Sequence, residues 1–112
     1  MRLTVIGLII AFAADNSAAD EMLHRICVSP TGNSIYDVKI NLSLRQGLAR
    51  YRYFGQDVFY KMTITSAEGD VLKGVAEFQS SRSGETKGNS WVFEYDSVEN
   101  ILTDNGMECR CK

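Results

Sequence analysis

The chain has 112 residues and a formal net charge of −2, with 12 Lys and Arg against 14 Asp and Glu. That length holds a single domain, and that balance is not the one of a strong polyanion binder. A hydrophobic share of 45%, mixed aromatics and a single proline exclude a disordered chain.

Met1–Ala14 reads as a secretory leader. Arg2 supplies the positive start, and Leu3–Ala13 is an apolar run broken only by Thr4 and Gly7. Ala11 and Ala13 fit an Ala-x-Ala cleavage site, and Ser17-Ala18-Ala19 offers a second. The run is well short of the ~18–20 apolar residues that a membrane span needs. Residues 1–19 are therefore expected to be removed, leaving residues 20–112 as one secreted, monomeric domain with no membrane association.

Three cysteines bracket that domain: Cys27 near its start, Cys109 and Cys111 near its end. A bridge from Cys27 to either would tie the ends of the fold together. Such a long loop is worth about 4–5 kcal/mol by the loop-entropy estimate, comparable to the whole stability of a small domain. The arrangement makes sense where thiols oxidise. The pattern Cys109-x-Cys111, with Cys27 and His24, also supplies four potential metal ligands, but disulfide use is the expected one in a secreted chain. His24, the only histidine, reads as a surface residue. No metal and no cofactor is expected.

The chain then alternates between turns and periodic segments. Pro30-Thr31-Gly32-Asn33 is a turn. Ser34-x-x-Asp37 has capping-box spacing, and Ile35, Val38, Leu42, Leu48 and Ala49 follow as a helical apolar stripe, with Gly47 weakening or stopping the helix near its end. The spacing predicts a helix here, although Val38, Ile40, Leu42 and Leu44 also alternate as a strand would. Asn41-Leu42-Ser43 is an N-glycosylation sequon on that helix. Beyond Phe54-Gly55-Gln56 the pattern becomes β. Val58–Thr65 alternates, Glu68-Gly69-Asp70 turns, and Val71–Gln79 alternates with Leu72, Ala76 and Phe78 on one face. Ser80–Asn89 is a polar loop. Ser90–Tyr95 carries Trp91, Phe93 and Tyr95 on one face. Ile101–Thr103 and Met107–Cys111 are short strands around an Asp104-Asn105-Gly106 turn. One helix packed on a four- to five-stranded antiparallel sheet is an α+β domain.

Arg45, Arg50, Arg52 and Lys61 interleave with Tyr51, Tyr53 and Tyr60. Arginine can contact phosphate and tyrosine can stack on bases, so Arg50, Tyr51, Arg52, Tyr53 and Lys61 form a candidate binding site. Arg82 and Lys87, in the Ser80–Asn89 loop, would assist. Lys73 and Glu77, at alternate positions of one strand, read as an ion pair.

The order cysteine, turn, helix, sheet, cysteine resembles the secreted fungal guanyl-specific ribonucleases. In that family a strand of type Arg-Val-Val-Phe-Asn leads to Ile-Thr-His-Thr-Gly and a closing Val-Glu-Cys. Here Ser90-Trp91-Val92-Phe93-Glu94 leads to Leu102-Thr103-Asp104-Asn105-Gly106 and Met107-Glu108-Cys109. Cys27, Gly32, Ser34 and Tyr36-Asp37-Val38 match the family's opening. The resemblance implies a microbial ribonuclease-like fold and pairs Cys27 with Cys109, leaving Cys111 as the alternative. It also places the family's arginine at Ser90, its acid histidine at Asp104 and its base at Glu77. Only Glu77 keeps a suitable group for general base chemistry, so the resemblance implies a dismantled enzyme. That in turn is similar to the ribonuclease-like effectors of powdery mildews and related plant-pathogenic fungi, although Arg25-Ile26-Cys27 stands here in place of their aromatic-x-Cys motif. The expectation is a secreted, non-catalytic effector that binds host protein or RNA, with delivery into host cells. The alternatives are an active endoribonuclease using Glu77, and an unrelated secreted inhibitor or structural domain.

Overall fold

The computed structural model of the protein describes residues 21–82 and 89–112. They form eight antiparallel strands: β1 (Met22–Val28), β2 (Ser34–Asn41), β3 (Gln46–Tyr53), β4 (Gln56–Glu68), β5 (Val71–Ser81), β6 (Trp91–Asp96), β7 (Ile101–Asp104) and β8 (Met107–Cys111). Each pairs with the next, and β8 pairs back onto β1, so the meander closes as an up-and-down barrel. The leader reading of residues 1–19 lies outside the described residues.

The α+β expectation is overturned. The segment read as a helix is the β2–β3 hairpin, with Tyr36 opposite Tyr51, Val38 opposite Ala49 and Ile40 opposite Gly47. Ser34, Tyr36, Val38 and Ile40 are buried at every second position, which is the strand period and not the helical one. The apparent capping box serves other partners. Ser34 shares a 3.0 Å hydrogen bond with the Tyr51 hydroxyl, and Asp37 accepts one of 2.8 Å from His24. The chain reverses through Leu42–Arg45, where Arg45 has a φ of 56°. Asn41 lies at that turn, its side chain accepting the Leu44 amide at 3.0 Å, so the sequon is not on a packed helix. Strand β1 carries none of the expected elements, while β4 to β8 fall where the alternation puts them.

The lumen is filled by side chains, as eight strands require. Tyr36, Ile40, Met62, Ala76, Phe93 and Leu102 are all but inaccessible. Aromatic rings meet edge to face along it, with Trp91 at 5.5 Å from Tyr36 and 5.7 Å from Tyr60 between centroids. Room for the rings comes from small residues. A Cβ on Gly74 would sit 2.0 Å from the Thr63 carbonyl and 2.7 Å from the Phe93 ring. One on Gly47 would sit 2.3 Å from the Lys39 carbonyl. Register shifts at Phe59/Tyr60 and Ile64/Ser66 bend the long β4–β5 ribbon around this core. Charged side chains such as Lys61, Glu77 and Glu94 stand on the outer wall, the inverse of a membrane-spanning barrel. Lys73 there pairs across strands with Glu94 at 3.7 Å, not with Glu77 along its own strand, because residues four apart on a strand are about 13 Å apart.

Closure rests on a short seam. Cys27 lies opposite Cys111 and Val28 opposite Arg110, and Ile26 and Lys112 exchange backbone hydrogen bonds of 3.1 and 2.9 Å. The disulfide joins Cys27 to Cys111. The expected Cys109 partner is thus replaced by the alternative. The β1–β8 register places Cys111 against Cys27, while Cys109 is about 6.6 Å further along its strand. Cys109 is a buried free thiol opposite Leu102. Around the bridge, Arg25 turns inward and donates to the Tyr95 hydroxyl at 3.0 Å. Tyr95 donates to Asn100 at 2.5 Å, and Asn100 donates to the Cys111 carbonyl at 2.9 Å.

Trypsin cuts after Arg25, Lys39 and Arg110, so a non-reduced digest should yield the 26–39 peptide joined to the Cys111-Lys112 dipeptide, and a join to a peptide ending at Arg110 would refute this pairing. Breaking the bridge with Cys111→Ala should cost on the order of 2–5 kcal/mol in urea unfolding. Gly74→Ala should cost at least about 1–3 kcal/mol by the same measurement, since its Cβ has no space between the Thr63 carbonyl and Phe93; an unchanged midpoint would contradict the close approach.

Candidate binding site at the barrel mouth

One end of the barrel carries the β1–β2, β3–β4 and β7–β8 turns, with the end of β5 and the start of β6. Strand alternation decides what faces the opening there. Leu102 is buried in the lumen, so Asp104, two residues on, also faces inward at the end of β7. Tyr36, Tyr51, Tyr60 and Trp91 reach the same level from β2, β3, β4 and β6 by the same rule. Together with Asn89, Ser90 and Asn105 these residues line an open cavity of about 230 Å³. The Asn105-Gly106 turn, both residues at positive φ, is of the type that closes a two-residue hairpin. Asn105 is pinned to β6, accepting from the Val92 amide at 2.9 Å and donating its own amide to the Val92 carbonyl at 3.0 Å. That pin holds the neighbouring Asp104 in place.

The Tyr36 hydroxyl donates to Asp104 Oδ2 at 2.5 Å. Among the described residues no basic side chain lies within ion-pair distance of this carboxylate. Its charge is felt around it. Burial, then the hydrogen bond and charge of Asp104, push the Tyr36 hydroxyl far above the ordinary tyrosine range. Burial, then Asp104, also raises Tyr60. The same two causes push the Cys109 thiol up to about 11.

The residues expected to bind RNA are divided by the wall. Tyr51 and Tyr53 stack nearly parallel at 6.2 Å on the mouth side, and Tyr53 meets Phe54 at 4.4 Å. Arg50 and Arg52 alternate with them and face outward. There they converge with Arg82 on Asp57, at 3.2, 3.0 and 3.4 Å, leaving that carboxylate 4% exposed. Lys61 is further along the outer wall, opposite Leu48 and Glu77. Lys87 lies outside the described residues. Ser90 and Asp104 share the mouth, but Glu77 is on the outer face of β5, so the three positions drawn from the ribonuclease pattern do not form one site. The four cysteine and histidine positions also fail to converge, since His24 is held by Asp37 and Cys27 by Cys111. The arginine partner Asp57 and the mouth residue Tyr36 escaped the sequence reading. Alternation through β2 and β3 was the signal that would have placed Tyr36 beside Tyr51.

Raised tyrosines have a consequence for stability. Unfolded tyrosine ionises near ~10, while Tyr36 and Tyr60 hold their protons in the fold. Their contribution is therefore complete below that pH and is lost as pH rises above it. In an alkaline absorbance titration, at least two of the five tyrosines should resist ionisation until the fold gives way. Five tyrosines titrating together in a folded barrel would contradict the burial of this pair.

No protein-family model matches the chain, and no curated protein or solved structure matches it significantly.

Proposed function

We propose that this is a non-catalytic binding protein that receives a small ligand at the mouth of the barrel. The observation that carries the reading is the open cavity of about 230 Å³ whose walls are aromatic rings and whose polar focus is Asp104. Concave sites of this make-up, apolar walls with few polar groups, are where small ligands bind, and barrel mouths are among their usual places. The separation of Glu77 from Asp104 and Ser90 supports binding over ribonuclease chemistry. The Cys27–Cys111 bridge supports action in an oxidising, extracellular setting. The role of an effector delivered into host cells drew its support from the ribonuclease-like pattern, and the all-β barrel takes that support away.

A second reading keeps RNA or an acidic protein as partner. Its favouring observations are the outer cluster of Arg50, Arg52 and Arg82 and, next along the chain from Arg52, two exposed rings, Tyr53 at 42% and Phe54 at 72%. Asp57 already neutralises part of that charge, so few phosphates would be engaged and binding would be weak.

Trp91 is the only tryptophan and lines the mouth, so its emission reports on the cavity. Small cationic, neutral and anionic aromatic probes should include at least one class that changes this emission saturably, and Ser90→Phe, which fills the mouth, should abolish the change. If no class does so, while oligo(U) binds with a log–log salt slope of about −0.7 per phosphate contacted, the second reading replaces the first.

A further inference from the structure

Asp104 sets the chemistry of the mouth. It is a carboxylate at the base of an opening whose other walls are rings and neutral polar groups. Among the described residues its one hydrogen-bond donor is Tyr36, at Oδ2, which leaves Oδ1 open. The basic cluster of Arg50, Arg52 and Arg82 is committed to Asp57 on the other side of the wall. A ligand entering the cavity therefore meets a negative charge that no described basic side chain compensates. An anion is repelled there. A neutral ligand strips water from Asp104 without replacing it, which costs free energy unless the charge finds a partner.

A metal ion is not the complement either. Among the described residues no group of three or more His, Cys, Asp or Glu side chains could hold one. Hard cations need several oxygen ligands, and the mouth supplies one carboxylate. What the walls do supply is aromatic rings. Tyr51, Tyr60 and Trp91 line the same cavity as Asp104, and a cation over such a ring is attracted by its quadrupole, most strongly over Trp. The cavity volume of about 230 Å³ is several times the ~30 Å³ of a water molecule. It falls below the ~300 Å³ at which pockets for whole drug-sized ligands begin. It suits a headgroup with the remainder of the molecule passing out through the opening.

Resting on the reading of the mouth as the ligand site, we propose that the protein binds small organic ammonium ions, with the charged nitrogen against Asp104 and its substituents on Tyr51, Tyr60 and Trp91. The uncharged Asn89, Ser90 and Asn105 at the rim neither compete for Asp104 nor repel the ligand.

The test compares three probes with one body and different charge: phenethylamine, 2-phenylethanol and 3-phenylpropanoate, titrated against the full mature protein and read by Trp91 emission and calorimetry. Phenethylamine should bind at least about tenfold more tightly than 2-phenylethanol, the scale of one desolvated cation–π contact plus a charge partner, and 3-phenylpropanoate should not bind. In Asp104→Asn the preference for the amine should vanish. Should that variant fail to fold, the charge series on the unaltered protein still decides. Equal or tighter binding of the neutral or anionic probe overturns the ammonium inference while the mouth remains a ligand site. No binding of any of the three, with Trp91 emission unmoved, overturns both.

Discussion

Everything in this molecule depends on closing the sheet. Seven of the eight strand pairings join neighbours in the chain and form from local hairpins. The eighth must bring the first strand to the last, and it spans only two register pairs. Without it β1 and β8 would each present an open edge, a template for pairing with another chain. Two devices hold the seam. The Cys27–Cys111 bridge removes the loop entropy of an 84-residue separation from the unfolded chain. The Arg25–Tyr95–Asn100 relay ties β1, β6 and the end of β8 together around it. An inward arginine is costly unless its donors are satisfied, and the relay satisfies the one that points to Tyr95. For a domain whose total stability is expected to be about 5–15 kcal/mol, a staple of this size is a large part of the whole.

Closure then dictates the interior. Eight strands leave a lumen just wide enough for side chains, and this chain fills it with rings. Small residues make the space: Gly74 lies beneath Phe93, Gly47 beneath Ile40, and Ala49 and Ala76 are fully enclosed. The rings rise to one end, where the filling stops short and Asp104 is left facing an opening. The same wall separates the charges. Arginines and Asp57 neutralise one another outside, and among the described residues Asp104 is the one carboxylate at the mouth. Asymmetry of charge across a single layer of sheet, and not net charge, is what distinguishes this surface.

The strands from β4 onward, their turns and their inward faces were legible because each is a local, period-two pattern bounded by Gly, Asn or Asp. The β2–β3 hairpin was not, for a specific reason. Its two strands join through a four-residue turn with no glycine at the reversal, and Ser34 and Asp37 happen to have capping spacing. Sixteen residues then read as one helix, although Tyr36, Val38 and Ile40 carried the strand period. That single misreading made a barrel look like a helix on a sheet, and it supplied the helix in the order of elements that resembled ribonucleases. The candidate site suffered from the same error. Arg50, Tyr51, Arg52 and Tyr53 are neighbours in the chain, and a helix or loop could present them together, but a strand sends alternate residues to opposite faces.

By itself, then, the sequence determined what is local: where most strands and turns lie, which face of β5 and β6 is apolar, and that Cys27 and the C-terminal cysteines bracket one domain. Tertiary structure decided what depends on register between distant strands. It chose Cys111 over Cys109, because their separation along β8 exceeds the reach of a bridge from Cys27. It also joined Tyr36, Tyr60, Trp91 and Asp104, from four strands, at one mouth. Shear and closure are properties of the whole sheet, and no window of residues contains them.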